Sequence, residues 1–544
     1  MQADVSVPDR GQVEQVETAQ SELDEYLYIH EQRRRVLPRA AAVGLLAGFA
    51  GVAFRGALAG GALIRNSVVS WAHLYTFGWL LPMALGAGAA ALSVYLVRRF
   101  APEAGGSGIP EVEAVLRRYQ PMRWHSLFPV KFLGGALAIG GGMALGREGP
   151  TVQMGGAVGA AVADQMGMMA RERLTLVAAG AGAGLAAAFN APLAGVVFVL
   201  EELQRDFRRG VFGAAFVAAA VADVVVRFAA GQLPVFSIPS YPVPPLTALP
   251  VFAIVGLAAG LLGVAFNRSL VATIGRFSGL PRTFVLPAAA LVGAAAGLVA
   301  WFVPEAAGGG HDLTEQILLG RVTLAAIPLW FLLRFLLTMA SYGTGAPGGI
   351  FAPLLVLGAL IGLGIGQVAH LVLPQVVSRP EIFAVVGMAA YFAAIVRAPL
   401  TGIVLILEMT NDYEQLLPLI TACFCAYLIA EHLGDLPIYE RLLERSLLRS
   451  GIQATHEEPI VVELVVQPGA KFSGTLVREL GLPPGCILVR CRLDGEEWLP
   501  TAETRLAPHM QVTALISPPV DKSLHILRDG CEAGSARGPT MDRG

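Results

Sequence analysis

Long uninterrupted apolar stretches alternate along this chain with short breaks rich in glycine and proline. Residues 284–303 and 248–266 carry no charge, and the uncharged run 174–200 is longer still. A run of about 20 apolar residues can cross a bilayer as a helix, so the pattern predicts an all-α polytopic membrane protein. Further membrane segments are predicted near residues 36–64, 71–97 and 211–229, from residue 322, and between 382 and 430. The first 36 residues are polar and predict an amphipathic helix, with Leu23, Tyr26, Leu27 and Ile29 on its less polar side. Past residue 457 the period changes. Residues 459–467, 486–493 and 511–517 alternate as strands do, with a short helix expected at 472–480. These elements predict a small α+β domain over residues 457–518, followed by a disordered tail at 519–544.

Three breaks interrupt the apolar pattern at membrane depth. They are Pro102 to Pro110, opening a charged helix at Glu111; Gly146-Arg147-Glu148-Gly149-Pro150; and Ser341 to Pro353. Irregular backbone is tolerated inside a membrane only where it lines a cavity or is buried in protein. Directly after the second break, residues 151–163 are uncharged but too short to span. The breaks come with a repeat. Ala186 to Glu201 matches Ala393 to Glu408, pairing Pro192 with Pro399, Gly195 with Gly402 and Glu201 with Glu408. Upstream, Pro150, Gly155 and Gly159 pair with Pro353, Gly358 and Gly362. Interrupted apolar segments at matching positions in two halves point to a transport site between the halves. The repeats are set at about 37–230 and 247–445 within a membrane domain at 37–445.

Composition sharpens this reading. The chain is 55% hydrophobic and 15% charged, with 63 glycines, against about 25% charge in soluble domains. Arg33-Arg34-Arg35, Arg98-Arg99 and the arginines at 205, 208 and 209 flank apolar runs, which places the N-terminus in the cytoplasm by the positive-inside rule. Nothing in the first 36 residues resembles a signal peptide. The net charge of −2 favours no partner, nucleic acid included, and the five cysteines follow no metal-ligand spacing.

The charges that remain inside the apolar pattern are the candidate chemistry. An ionisable residue in a membrane segment is a functional-site hypothesis. Helix N-termini converging at the breaks would hold an anion by partial charge alone. Gly106, Gly108, Gly149 and Gly349 would let backbone approach it, Pro110 and Pro150 would start helices, and Ser107 would add a hydroxyl donor. Glu148 would compete with the anion when ionised and leave when protonated; a plain ion pair with Arg147 is the alternative. Glu201 has a repeat partner and reads as structural. Glu202 has none, because Met409 takes its place, and is the candidate for proton uptake. Tyr439 follows the last span, as an anion donor or an interface anchor.

These motifs resemble the CLC family of chloride channels and transporters. Gly106-Ser-Gly-Ile-Pro110, Gly146-Arg-Glu-Gly-Pro150 and Gly349-Ile-Phe-Ala-Pro353 match its three anion-site segments in order, over residues 37–445. The resemblance implies an inverted repeat of many broken or tilted helices and a homodimer with one pathway per subunit. It implies Ser107, Tyr439 and the amides of Ile350 and Phe351 as chloride ligands, Glu148 as the outer gate and Glu202 as the inner proton-transfer group. It implies a proton/chloride antiporter, not an enzyme and without a cofactor, in the inner membrane with both termini cytoplasmic. A passive chloride channel is the alternative, and a sensor with a vestigial pore a third reading. Ser107 favours chloride over nitrate. The motifs disfavour the fluoride-exporting branch. Residues 457–518 resemble a TrkA-C domain through Gly469, Gly474, a helix at Val477 to Leu480 and a strand at Trp498 to Pro500, which implies a small cytosolic ligand or extra dimer contacts. No Thr-Val-Gly-Tyr-Gly potassium filter occurs.

Overall fold

The computed structural model describes residues 10–205, 209–232, 234–236, 238–239, 241–449, 460–517 and 520–532. It divides into two compact units, Met1–Leu443 and Glu444–Gly544. The first unit begins with α1 (Arg10–Ala72), α2 (Leu80–Phe100), α3 (Ile109–Leu116), α4 (Trp124–Gly140), α5 (Glu148–Gln165), α6 (Ala170–Phe189), α7 (Pro192–Phe198) and α8 (Arg209–Ala230). It continues with α9 (Leu249–Ser278), α10 (Arg282–Phe302), α11 (His311–Leu318), α12 (Ile327–Gly343), α13 (Phe351–Val372), α14 (Glu381–Val396), α15 (Pro399–Thr410) and α16 (Leu416–His432), and ends in α17 (Ile438–Arg449). Helices α1–α8 and α9–α16 correspond one to one. Even the short turns repeat: Pro102–Ala104 and Pro304–Ala306 carry the same Pro-Glu-Ala, and Gly108 and Gly310 precede α3 and α11 with φ of 88° and 82°. Eight helices among the described residues are long and apolar enough to cross a membrane.

Lipid supplies no hydrophobic drive between helices, so close packing depends on small residues. A Cβ on Gly155 in α5 would lie 2.1 Å from the Gly180 carbonyl oxygen in α6, and one on Gly180 would meet Gly155 at the same distance. The second half repeats the contact between Gly358 in α13 and Gly387 in α14, at 2.5 and 2.3 Å.

Two antiparallel devices join the halves. Gly146 N–H donates to Gly349 O and Gly349 N–H to Gly146 O, each at 2.7 Å, so repeat-related glycines pair with each other. Glu408 accepts the N–H groups of Leu193 and Ala194 at 3.1 and 2.8 Å, at the start of α7. Glu201 accepts those of Leu400 and Thr401 at 3.0 and 2.6 Å, at the start of α15, and the Thr401 hydroxyl at 2.7 Å. Each glutamate satisfies the free amides that begin the other half's helix. The structural role read for Glu201 from its repeat partner is this cap.

The structure corrects several sequence expectations. The run 174–200 is not one span: α6 stops at Asn190, whose left-handed φ of 52° ends it, and Pro192 starts α7. Arg397 breaks the second half at the same place with φ of 69°. The N-terminal helix and first membrane segment are one element, α1, with Pro38 inside it; the less polar side assigned to Leu23, Tyr26, Leu27 and Ile29 lies outside the described side chains. The second membrane segment starts at Leu80, not near 71, and the helix expected at Glu111 starts at Ile109.

The second unit is an antiparallel sheet of β1 (Ile460–Val465), β2 (Cys486–Leu493), β3 (Glu496–Trp498) and β4 (Gln511–Ile516), ordered β1-β4-β2-β3. The helix expected over 472–480 shrinks to a single turn at Val477–Glu479, and the strand at Trp498 runs back to Glu496 rather than on to Pro500. The tail is not all irregular. Val520–Cys531 forms α18, which buries Leu527 and Cys531 with Phe472, Val512 and Ile516. Apolar side chains one helical turn apart make that face, which a mostly polar composition hides. Residues 533–544 of the expected tail lie outside the described residues.

The caps carry a testable cost. Glu408→Ala is expected to lower stability by about 2–3 kcal/mol, since charge-assisted bonds contribute roughly 1.5–3 kcal/mol each. Glu201→Ala should cost at least as much, through the added Thr401 hydroxyl. Thermal unfolding in detergent checks this; shifts no larger than for alanine at exposed Glu414 would contradict it.

Candidate functional site

The three breaks meet at the join between the halves. Gly348 N–H donates to Gly106 O at 2.9 Å, tying the third break to the first. The Gly146–Gly349 pair ties the second to the third. Gly149 completes the triangle, because a Cβ there would lie 2.5 Å from Ser107 Oγ. Gly106 and Gly108 adopt φ of 61° and 88°, which glycine takes without a Cβ clash, and Pro110 sits in the first turn of α3. The N-termini of α3, α5 and α13 are thereby brought together, each with amides that lack an intrahelical acceptor.

Two hydroxyls face this junction. Ser107 and Tyr439 are buried, and Ser107 Oγ and Tyr439 Oη lie beside one another with no other hydrogen-bond partner in the protein. Buried polar atoms are rarely left unpaired, so two of them at converging helix N-termini describe a donor site for a small anion. Glu148 is buried at the first turn of α5, and its Oε2 accepts the Ala352 N–H at the start of α13, at 3.4 Å. Its carboxylate thus stands at a helix N-terminus, where an anion would also bind. Gly349 N–H goes to the Gly146 pairing, which leaves the amides of Ile350 and Phe351 among the free N–H groups of that turn. The Phe351 ring packs on Phe392, Phe189 and Phe198, with centroids 4.5, 5.9 and 6.2 Å away.

Glu148 and Glu202 line different cavities. Glu148 borders one of about 370 Å³, with Arg55, Arg65, Arg147 and Met409 on its wall. Three guanidiniums there draw anions toward Glu148, which is the position found for Arg147. Glu202 borders another of about 540 Å³ with Arg205, Arg397 and Glu440, and the two cavities share no lining residue. Glu202 is 3% exposed and its Oε1 has no partner. It lies in a π-helical turn, Val199–Gln204, whereas its repeat counterpart Met409 lies in the regular α15. Such insertions are frequent at functional sites. The inverted repeat therefore sets Glu202 and Met409 on opposite cavities, one titratable and one not.

Sequence reasoning missed the clamps that hold the breaks. Lys131, buried in α4, donates to Ala104 O and Gly106 O at 3.0 and 2.7 Å. Arg334, at the matching place in α12, donates to Ala306 O, Gly308 O and Gly309 O at 2.7, 2.9 and 3.0 Å. Tyr342 Oη accepts the Ser107 N–H at 3.2 Å, and Gln153 Nε2 donates to Glu103 O at 2.8 Å. The available signal was a lone Lys or Arg in each of two apolar helices, α4 and α12, each the second helix after a Pro-Glu-Ala turn.

Broken helices from two inverted halves, converging on a buried polar junction between two cavities, define a membrane transport protein of the inverted-repeat kind. Residues 88–431 match the profile of the voltage-gated chloride channel family, and residues 461–520 that of the TrkA-C domain. The chain belongs to the voltage-gated chloride channel family. It is similar to the H(+)/Cl(-) exchange transporter ClcA of Vibrio parahaemolyticus, 43% identical over 422 residues, covering 76% of this chain and 90% of that protein. It resembles the crystal structure of a slow cyanobacterial Cl-/H+ antiporter with a TM-score of 0.74 and 36% identity, over 77% of this chain and 99% of that one. A eukaryotic CLC transporter structure matches at a TM-score of 0.65 and 25% identity, over 76% and 74% of the two chains.

The clamps separate binding from stability. Lys131→Met should weaken chloride binding by about tenfold, since one charged hydrogen-bond set contributes roughly 1.5–3 kcal/mol and this one positions Ser107. Arg334→Met should lower the melting temperature with affinity within about twofold. Calorimetric chloride titration checks both, and equal affinity losses in the two variants would contradict the assignment.

Proposed function

We propose that this chain exchanges chloride for protons across the inner membrane, as a homodimer whose subunits each carry their own pathway. The observation that carries the reading is the Glu148 carboxylate at the α13 N-terminus, beside the unpartnered Ser107 and Tyr439 hydroxyls. The relatives' activity supports it. Chloride takes the Ser107 and Tyr439 hydroxyls and the Ile350 and Phe351 amides. Partial charges hold it firmly enough to select it and weakly enough to release it. Ionised Glu148 occupies the same helix terminus and excludes the next chloride. Once protonated it loses the attraction of that terminus, vacates it, and carries its proton toward the outer cavity.

Glu202 supplies that proton from the other side. Its burial, its missing partner and its cavity suit a group that loads from water and hands on inward. The cavity of Glu202 faces the cytoplasm, because Arg205 follows it at the end of an apolar run and basic residues concentrate on that side. Both termini then lie in the cytoplasm, and the 460–517 sheet reads a small cytosolic ligand.

Purified protein in liposomes should drive protons uphill when a chloride gradient is imposed. Glu148→Ala should retain chloride flux with proton uptake at the leak level. Glu202→Gln should lose proton uptake and keep chloride movement. Full coupling in the Glu202 variant would remove it from the mechanism, and chloride flux in the wild type without any proton movement would make the protein a passive channel.

A further inference from the structure

Glu202 sits among charges that the exchange reading does not use. Four groups act on it most: Glu440 from α17 and Glu201 and Arg205 from its own turn, which line the same cavity, and Glu113 from α3. Three are acids and one is a base. Glu201 is already committed to the α15 cap. Arg397 lies on the same cavity wall with Glu431 and Asp435, but it donates to Asp435 O at 2.9 Å and pairs with Glu431 at 3.6 Å, whereas Arg205 is the cation shared with the acids around Glu202. Its Nη1 lies 3.0 Å from Glu440 Oε1 and its Nη2 lies 3.9 Å from Glu113 Oε1. Glu113 also pairs with Arg117 on its own helix.

The backbone aims this side chain. The π turn ends at Arg205, which adopts a left-handed φ of 50°. A non-glycine residue pays for that conformation and keeps it only where its surroundings fix it; here two carboxylates on other helices do so. The second partner is informative. Glu440 follows Tyr439 in α17, so one helix presents the inner chloride hydroxyl and the acid that engages Arg205. The same helix contains the boundary between the two compact units, at Leu443 and Glu444. Any displacement of α17 would carry Tyr439 and Glu440 together, since they are neighbours on it.

We propose that Arg205 is the positioning residue of the inner proton step: its guanidinium, divided between Glu440 on the Tyr439 helix and the acids around Glu202, ties protonation of Glu202 to the seating of Tyr439. The proposal rests on the exchange reading. With α17 seated, Glu440 draws the guanidinium and Glu202 keeps its proton more readily. With α17 withdrawn, the guanidinium is released to Glu202 and favours its ionised form. The helix leading to the sheet domain thereby sets when the inner acid gives up its proton.

The test is the pH dependence of chloride-driven proton flux in liposomes for wild type, Arg205→Gln, Arg205→Lys and Glu440→Gln. Removing the guanidinium removes what stabilises ionised Glu202, so Arg205→Gln should move the midpoint to higher pH. Removing the Glu440 charge leaves Arg205 to Glu202 and takes away a like charge, so Glu440→Gln should move it to lower pH. Each shift is expected at about one pH unit, the scale of a single charge within about 4–6 Å. Arg205→Lys should return most of the way to wild type. A merely structural pair would shift both midpoints in one direction or neither, and that result overturns the proposal while leaving exchange intact. Absence of coupled proton flux in the wild type removes the exchange reading and this proposal together.

Discussion

Everything in the membrane unit depends on closing two inverted halves where neither can finish its own hydrogen bonds. Helices α7 and α15 begin with free amides at membrane depth, where no lipid group can satisfy them. Glu201 and Glu408 do so reciprocally, and Gly146 and Gly349 exchange backbone bonds beside the anion junction. The fold thus uses repeat-related residues on each other. That closure fixes the three breaks against one another, and the breaks in turn aim three helix N-termini at one place. Lys131 holds the first break and Arg334 the matching turn of the second half, each by donating to backbone carbonyl oxygens.

Symmetry builds the scaffold and departures from it build the chemistry. Glu148 has an aromatic counterpart in Phe351, and Glu202 has a thioether counterpart in Met409. The π turn at Glu202 is absent from α15. Because the repeat is inverted, Glu202 borders one cavity and its counterpart Met409 the other, while Phe351 packs against Phe392, Phe189 and Phe198. An acid at both positions of a pair would offer protons two equivalent ways in. On the proposed exchange reading, one acid per pair gives the proton a single route between Glu202 and Glu148. The positive lining of Arg55, Arg65 and Arg147 belongs to the cavity that Glu148 borders.

How much of this was legible follows from range along the chain. The three breaks with Ser107, the Pro192–Pro399 repeat and Glu148 stand out because glycine, proline and charge in apolar sequence are local marks, whereas Glu202 was marked by its mismatch with Met409 in the repeat and Tyr439 by the family resemblance. The stop at Asn190 was hidden, since alanine-rich sequence stays apolar across it and only a left-handed asparagine with Pro192 behind it tells of the break. Helix α18 was hidden by polar residues around a narrow face of Leu524, Leu527 and Cys531. The Lys131 clamp, the Glu201 and Glu408 caps and the Arg205–Glu440 pair join residues far apart in sequence. Spacing could mark Glu201 and Glu408 as related, but their geometry came only from the fold.

The central claim is that one pathway couples the two ions through Glu148 and Glu202. The most direct measurement is the reversal potential of the purified protein in planar bilayers, first under a chloride gradient and then under a pH gradient at equal chloride. The account predicts that each gradient alone displaces the reversal potential. A potential set by chloride and indifferent to pH would contradict it.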